Sequence, residues 1–343
     1  MNSFDAGRFF WAGFPGKQIP QNLCRRLETG TIGGIILFAR NFSSEKELLS
    51  LTQELHARWK GPGHLLLGVD QEGGRVVRIR NINWPSAFDL ASAGNPDLTR
   101  HIASLMAKEL AHFGFNTDFA PVLDVWTQPE NPVIGNRAFG TNPDDVVMHA
   151  GAFARGLHDE GIFTCGKHFP GHGDTLVDSH EQLPWCNCSI EVIEKIHEKP
   201  FRILANSMDF LMTAHMMVPA LDIHLPVTLS PTWVQRARTL PFSGILVSDD
   251  LEMGAMQQFR EDLAVRALAA GFDMLMVCAS QEFLESCISK VNQLFNNPAW
   301  KVEGQERIQR IDQMNLRASH IRPFLDRKAW QNEVQSTLIR LHV

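Results

Sequence analysis

The sequence predicts an α/β chain folded as a (β/α)8 TIM-type barrel in a single domain. Three observations carry that expectation. Eight short apolar runs alternate with longer amphipathic stretches along the 343 residues, and such runs suit strands buried on both faces of a parallel sheet. The G-x-G-x-x-G turn that follows the first strand of a dinucleotide-binding sheet is absent. Polar residues collect where successive runs end, which in such a barrel is the rim that carries the active site.

The runs are "RFFWAGF" (8–14), "GGIILF" (33–38), "HLLLGVD" (64–70), "TDFAPVLD" (117–124), "FTCGKH" (163–168), "FLMTAH" (210–215), "GILVSDD" (244–250) and "DMLMVC" (273–278). Asp70 closes the third, Asp124 the fourth, Lys167 with His168 the fifth, His215 the sixth, and Asp249 with Asp250 the seventh. Between the runs, Leu48, Leu51 and Leu55 share one helical face. Ile102, Leu105, Leu110 and Phe113 stripe a second helix that ends at Gly114, a residue suited to a left-handed cap. A further helix is expected between Gly140 and Gly161, and another from about Gln305 to Arg322, packed outside the barrel. With no linker, repeat or low-complexity tract, residues 1–343 read as one domain.

Composition narrows the function. The hydrophobic share of 44% and charged share of 20% are those of an ordinary globular enzyme. A formal net charge of −6 argues against a nucleic-acid partner, which calls for a basic patch. The first residues lack the pattern of a signal peptide. No run approaches the roughly 18 apolar residues of a membrane span, so no membrane partner is expected. Six cysteines in a chain of this length do not make a disulfide scaffold, and the expected location is cytoplasmic. The lone C-x-C pair, Cys186 and Cys188, is given no metal or redox role.

The segment "KHFPGHGDTLVDSH" (167–180) is dense in titratable groups. Pro170, Gly171 and Gly173 exclude a helix, so it is a loop above the fifth strand. Without a helix, the four-residue spacing of His168 and His172 loses its meaning as a zinc motif, and no metal is expected. Asp178 and His180, two apart in an extended segment, can point the same way. The carboxylate then fixes the imidazole tautomer and stabilises its cationic form. No G-x-S-x-G elbow is present, so acyl transfer is poorly supported. In "VSDDLEM" either Asp249 or Asp250 can cap the turn that follows, leaving the other to face the site. Lys167, Arg78 and Arg137 are the cations available to offset two adjacent carboxylates. A carboxylate nucleophile with a separate proton carrier suits glycoside cleavage.

Together, "GVDQEGGRVVR", "IGNRAFG", "KHFPGHGDTLVDSH" and "VSDDLEM" resemble the β-N-acetylglucosaminidases (β-hexosaminidases) of glycoside hydrolase family 3, in their compact single-domain bacterial form. The similarity runs roughly from Gly33 to Val277. It implies a retaining, exo-acting enzyme in which Asp249 is the nucleophile and His180 the acid/base on a mobile loop, with Asp178 its dyad partner. It also implies that Asp70, Arg78, Arg137, Lys167 and His168 hold a terminal N-acetylglucosamine, and that no cofactor takes part. Gly171 and Gly173 are expected to let the loop swing. "GNR" stands where "GDR" is common in the family, which bears on the orientation of Arg137.

An imidazole titrates near pH 6.5, so it can act first as acid and then as base. It adds no anion beside the site, which leaves a phosphorylase outcome open beside hydrolysis. A non-catalytic muropeptide-binding protein is a further alternative. The resemblance places the enzyme in cytoplasmic peptidoglycan recycling, acting on anhydro-muropeptides. The expected partner is that oligosaccharide substrate, and the expected state is a monomer.

Overall fold

Eight strands, each parallel to its neighbours, close into a barrel in sequence order. The computed structural model describes residues 5–318, 324 and 326–341. The strands are β1 (Phe10–Ala12), β2 (Gly34–Ile36), β3 (Leu67–Val69), β4 (Thr117–Asp118), β5 (Phe163–Phe169), β6 (Phe210–Thr213), β7 (Ile245–Asp250) and β8 (Met274–Val277). The ring closes where Trp11 of β1 stands opposite Met276 of β8. Each strand lies in one of the eight apolar runs, except that β5 extends one residue past its run to Phe169. β4 is the shortest because Pro121 offers no N–H to a ladder, and beyond it only Val122 makes a further bridge, to Lys167.

The interior is filled by aromatic rings rather than left as a channel. Trp11 meets Phe119 edge-on at 5.1 Å and Phe210 at 5.8 Å, and all three are fully buried. Glycines on the neighbouring strands make the room. A Cβ on Gly34 would lie 2.6 Å from the Trp11 ring, and one on Gly68 2.6 Å from Phe119. Packing at close to crystal density leaves no other place for rings of this size.

Two strands depart from regular pairing, and both departures serve the barrel mouth. Side chains along a strand ordinarily alternate between faces. The register shifts between Gly166 and Phe169 in β5 and between Val247 and Asp250 in β7. Such irregularities re-aim side chains. As a result Lys167 and its neighbour His168 face one pocket, and so do Asp249 and Asp250.

The anticipated helices are Glu45–Arg58, Pro96–His112 and Pro143–Asp159. Several helices open on a capping side chain followed by proline at the first helical position: Asn95-Pro96, Asn142-Pro143, Ser230-Pro231 and Asn297-Pro298. The last of these caps corrects an expected boundary. That helix spans Pro298–Arg317, starting well before Gln305; residues 319–322 of the expected span lie outside the described residues. It is tied to the start of the chain by buried Arg8, which donates to Asn315 Oδ1 at 3.0 Å and pairs with Asp312. A further helix, Arg327–Leu341, was not anticipated. Its Trp330 donates to the Leu105 carbonyl at 3.1 Å and stacks on Phe324 at 4.5 Å. Among the described residues, no helix is long and apolar enough to cross a membrane.

One buried acid makes stability depend on pH. Glu109 accepts from Trp84 Nε1 at 3.0 Å, and burial pushes its carboxyl up to about 7. Its protonated form therefore favours the fold. That contribution is complete below the ordinary value of 4.5 and is lost as pH rises through 7. Glu109→Gln keeps an acceptor for Trp84 and stays neutral. In urea unfolding it should match the parent protein near pH 4 and exceed it by about 3 kcal/mol above pH 8.

Candidate active site

The barrel mouth holds a pocket lined by Asp70, Arg78, Arg137, Lys167, His168, His180 and Asp249. Seven of the eight residues singled out in the sequence thus meet in one concavity. The eighth, Asp178, stands behind His180 and is bonded to it.

On one side of the pocket, cations and carboxylates interleave. Lys167 Nζ lies 3.0 Å from Asp70 Oδ1 and 2.6 Å from Glu72 Oε1. Arg78 Nη2 reaches Asp70 Oδ2 at 3.1 Å. Arg137 grips Glu72 with two bonds, at 2.8 and 2.9 Å. Ions taken out of water need such partners. Burial opposes the charge on Glu72, but Arg137 and Lys167 outweigh it and hold the carboxyl far below its ordinary range. Burial likewise opposes the charge on Lys167, yet Asp70 and Glu72 keep its pKa above the usual lysine value. Asp70 is lowered against its burial by Lys167 and Arg78. "GNR" leaves the Arg137 guanidinium firmly placed.

The local chain explains this convergence. After β3 the segment doubles back at Gly73 and Gly74, whose φ angles of +94° and +54° suit glycine alone. A Cβ on Gly73 would also strike the Pro85 carbonyl at 2.1 Å. Gln71 gathers the returning chain, its Oε1 accepting from the amides of Arg78 at 2.8 Å and Ile79 at 3.2 Å. Arg78 is thereby set beside Asp70. Glu72 was passed over in the sequence, although it stands two residues from Asp70, a spacing that puts both on one face of an extended chain.

His168 is fixed by an acid that the sequence showed only as the end of a run. Its Nδ1 donates to Asp124 Oδ2 at 2.7 Å, leaving Nε2 towards Arg137 at 3.4 Å. Asp124 also accepts from the His172 amide at 2.6 Å. His172, whose pKa burial pulls down to about 4, lines the same pocket as a neutral ring.

At the tip of β7 the two aspartates divide their tasks. Asp250 Oδ1 accepts from the amides of Glu252 at 3.1 Å and Cys278 at 3.2 Å. Burial, with Glu252 and Asp249 nearby, pushes its carboxyl up to about 7. Asp249 accepts from the Asp250 amide at 2.8 Å. Burial works against its ionisation, but His215, His168, that amide and His180 outweigh it, so its pKa lies below 3.8. Asp249 is the ionised carboxylate of the pair. His215 braces the strand, with Nε2 donating to the Asp250 carbonyl at 2.9 Å and Nδ1 bonded to the Thr228 hydroxyl at 2.6 Å.

Asp178 and His180 meet as expected, but not on an extended segment. They sit in a turn in which the amides of Glu181 and Gln182 both donate to the Asp178 carbonyl at 3.0 Å. Asp178 Oδ1 accepts from the His180 amide and from its Nδ1, each at 2.8 Å. The His180 side chain is 68% exposed, and Nε2 is the ring nitrogen left for a ligand. The loop is docked: the carbonyls of Ser179 and His180 accept from the amides of Ala255 and Gly254, each at 3.1 Å. Gly171 and Gly173, expected as hinges, stand where the loop presses on its neighbours. A Cβ on Gly173 would lie 1.7 Å from the Val125 carbonyl oxygen, and one on Gly171 2.7 Å from His197.

Comparison with known proteins identifies the family. Residues 12–313 match the N-terminal domain of glycosyl hydrolase family 3. A β-hexosaminidase of Pseudomonas aeruginosa is 38% identical over 288 residues, 82% of this chain and 83% of that protein. A fungal multi-domain GH3 β-N-acetylglucosaminidase superposes with a TM-score of 0.91 at 29% identity, over 97% of this chain and 42% of that much longer one. NagZ from Neisseria gonorrhoeae, solved in complex with N-trifluoroacetyl-D-glucosamine, superposes with a TM-score of 0.77 at 29% identity, over 99% of this chain and 97% of that one. The chain therefore belongs to glycosyl hydrolase family 3, as a glycoside hydrolase of the β-N-acetylhexosaminidase type.

Proposed function

We propose that this chain is a retaining exo-β-N-acetylglucosaminidase working through a glycosyl-aspartate on Asp249. The observation that carries the proposal is an ionised Asp249 sharing one pocket with the histidine of an Asp178–His180 pair. A terminal N-acetylglucosamine is held by Asp70, Arg78, Lys167, Arg137 and His168, which line the same pocket. The N-acylglucosamine bound to the gonococcal relative supports that sugar class.

In the first step an Asp249 carboxylate oxygen attacks C1 while His180, as imidazolium, gives its Nε2 proton to the departing oxygen. The C1–O bond breaks and an ester to Asp249 forms. Asp178 stabilises the cation before transfer and holds the Nδ1 tautomer after it. In the second step neutral His180 takes a proton from water as that water attacks C1, and Asp249 leaves. Two displacements at C1 restore the β configuration.

The natural substrate under this reading is a GlcNAc-terminated peptidoglycan fragment met in the cytoplasm. Similarity to bacterial β-hexosaminidases supports the terminal N-acetylhexosamine, and six unpaired cysteines suit a reducing compartment. Proton NMR of p-nitrophenyl N-acetyl-β-D-glucosaminide turnover, with and without phosphate, tests the mechanism. β-GlcNAc should appear first in both cases and mutarotate later. An α-anomer formed first removes the nucleophile from the scheme. A sugar 1-phosphate formed only with phosphate makes the enzyme a phosphorylase.

A further inference from the structure

The geometry points to a metal site that neither the fold nor the sugar pocket requires. We propose that Asp174, Cys186, Cys188 and His197 bind one zinc-like divalent cation at the stem of the loop carrying Asp178 and His180. One donor atom from each of Asp174, Cys186 and Cys188 lies within 4.8 Å of the others. Cys188 Sγ stands 3.1 Å from Asp174 Oδ2 and 3.9 Å from His197 Nε2. His197 is 1% exposed, and its Nδ1 finds no partner. The Nε2 edge of this buried imidazole faces the Cys188 thiol beside Asp174, which sets a nitrogen donor against sulfur and carboxylate ligands, the donor types of a zinc site.

Ligand atoms of a tetrahedral zinc site, with bonds of about 2.0–2.3 Å, stand roughly 3.3–3.8 Å apart. The atoms of Asp174, Cys186 and Cys188, within 4.8 Å of one another, need a modest contraction to reach that spacing, and the His197 ring beside Cys188 must close in further. Two sulfurs and an imidazole select zinc over magnesium or calcium, which prefer oxygen. Binding converts two thiols to thiolates and releases two protons. The surroundings already hold the donors in place. Thr127 Oγ1 donates to Asp174 Oδ1 at 2.9 Å, and the Cys186 amide donates to the Met217 carbonyl at 2.9 Å. This departs from the sequence-based expectation that the C-x-C pair has no metal role.

The ligands come from both ends of one loop. Asp174 precedes residues 175–185, Cys186 and Cys188 follow them, and His197 closes the short helical segment Ile193–His197. A cation bound by all four would clamp the loop at its stem without touching the sugar pocket. The consequence for catalysis rests on the proposed role of the Asp178–His180 pair, whereas the site itself does not.

Cobalt(II) titration of the chelator-treated, reduced protein tests the site. One equivalent should produce near-ultraviolet thiolate-to-cobalt absorption with tetrahedral visible bands, and zinc should bleach both. Cys188→Ala should abolish the thiolate absorption, and Asp174→Asn, which keeps both thiols, should weaken binding at least about tenfold. His180→Ala should retain the bands, which separates this site from a metal held at the catalytic pair. Absence of thiolate absorption in the parent protein, or its survival in Cys188→Ala, overturns the metal site. Hydrogen exchange of residues 175–185 tests the clamp independently of turnover. Zinc should slow it in the parent protein and not in Cys188→Ala; unchanged exchange on zinc binding overturns the clamp.

Discussion

Asp249→Ala should lower kcat/KM on p-nitrophenyl N-acetyl-β-D-glucosaminide by about 10⁴-fold or more, as expected for loss of a nucleophile. At about 1.4 kcal/mol per decade this corresponds to at least roughly 5.5 kcal/mol of transition-state stabilisation. Asp250 cannot substitute for the missing group, because one of its oxygens caps the amides of Glu252 and Cys278 and so ties the side chain to the backbone beyond β7. A small anion can. Azide admitted to the space left by the side chain should attack C1 opposite the departing p-nitrophenolate and yield the α-glycosyl azide. Mass spectrometry and NMR read that product directly. Formation of the β-azide, or near-normal hydrolysis by the variant, moves the nucleophile away from position 249.

The barrel was legible because burial on both faces of a parallel strand leaves no room for polar residues until the strand ends. The tips at Asp70, Lys167 and Asp249 therefore stood out against runs such as "HLLLGVD" and "GILVSDD". What the sequence could not show was how two adjacent residues share one pocket. Regular alternation sends Lys167 and His168 to opposite faces, and both members of each pair line the mouth where the pairing of β5 and β7 becomes irregular. Glu72 escaped notice for a different reason. A carboxylate in a Gln-Glu-Gly-Gly turn reads as solvated surface, until Arg137 and Lys167, distant in sequence, are seen to enclose it. Other signals were present and unused: Asn297-Pro298 marks a helix start as plainly as Asn95-Pro96 does. The helix Arg327–Leu341 follows Asp326, whose side chain accepts from the Ala329 amide at 2.9 Å, a further start signal left unused, and it is docked by Trp330.

His180→Ala should separate the two halves of the reaction according to the leaving group. For a substrate with a poor leaving group, such as a GlcNAc-terminated muropeptide, protonation of the departing oxygen is indispensable and kcat should fall about 10²–10⁴-fold. A dinitrophenyl glycoside needs no such proton, so its first step should be nearly untouched. Its second step still lacks a base to deprotonate water, so a burst of dinitrophenolate should precede slow turnover, and the Asp249 ester should be trapped by mass spectrometry. The backbone should tolerate the change, because the loop is docked through the carbonyls of Ser179 and His180, which alanine retains. Asp178→Asn adds a finer test. Burial opposes the charge on Asp178, but the His180 amide and imidazole outweigh it and keep the carboxyl below 3.8, so the negative charge is present wherever the enzyme works. Asparagine can still accept from Nδ1 but cannot stabilise an imidazolium. The alkaline limb of the kcat/KM profile should therefore move to lower pH, because the proton donor is lost sooner. A His180→Ala enzyme that slows both leaving groups equally and shows no burst would mean that the proton reaches the glycosidic oxygen from some other group at the barrel mouth.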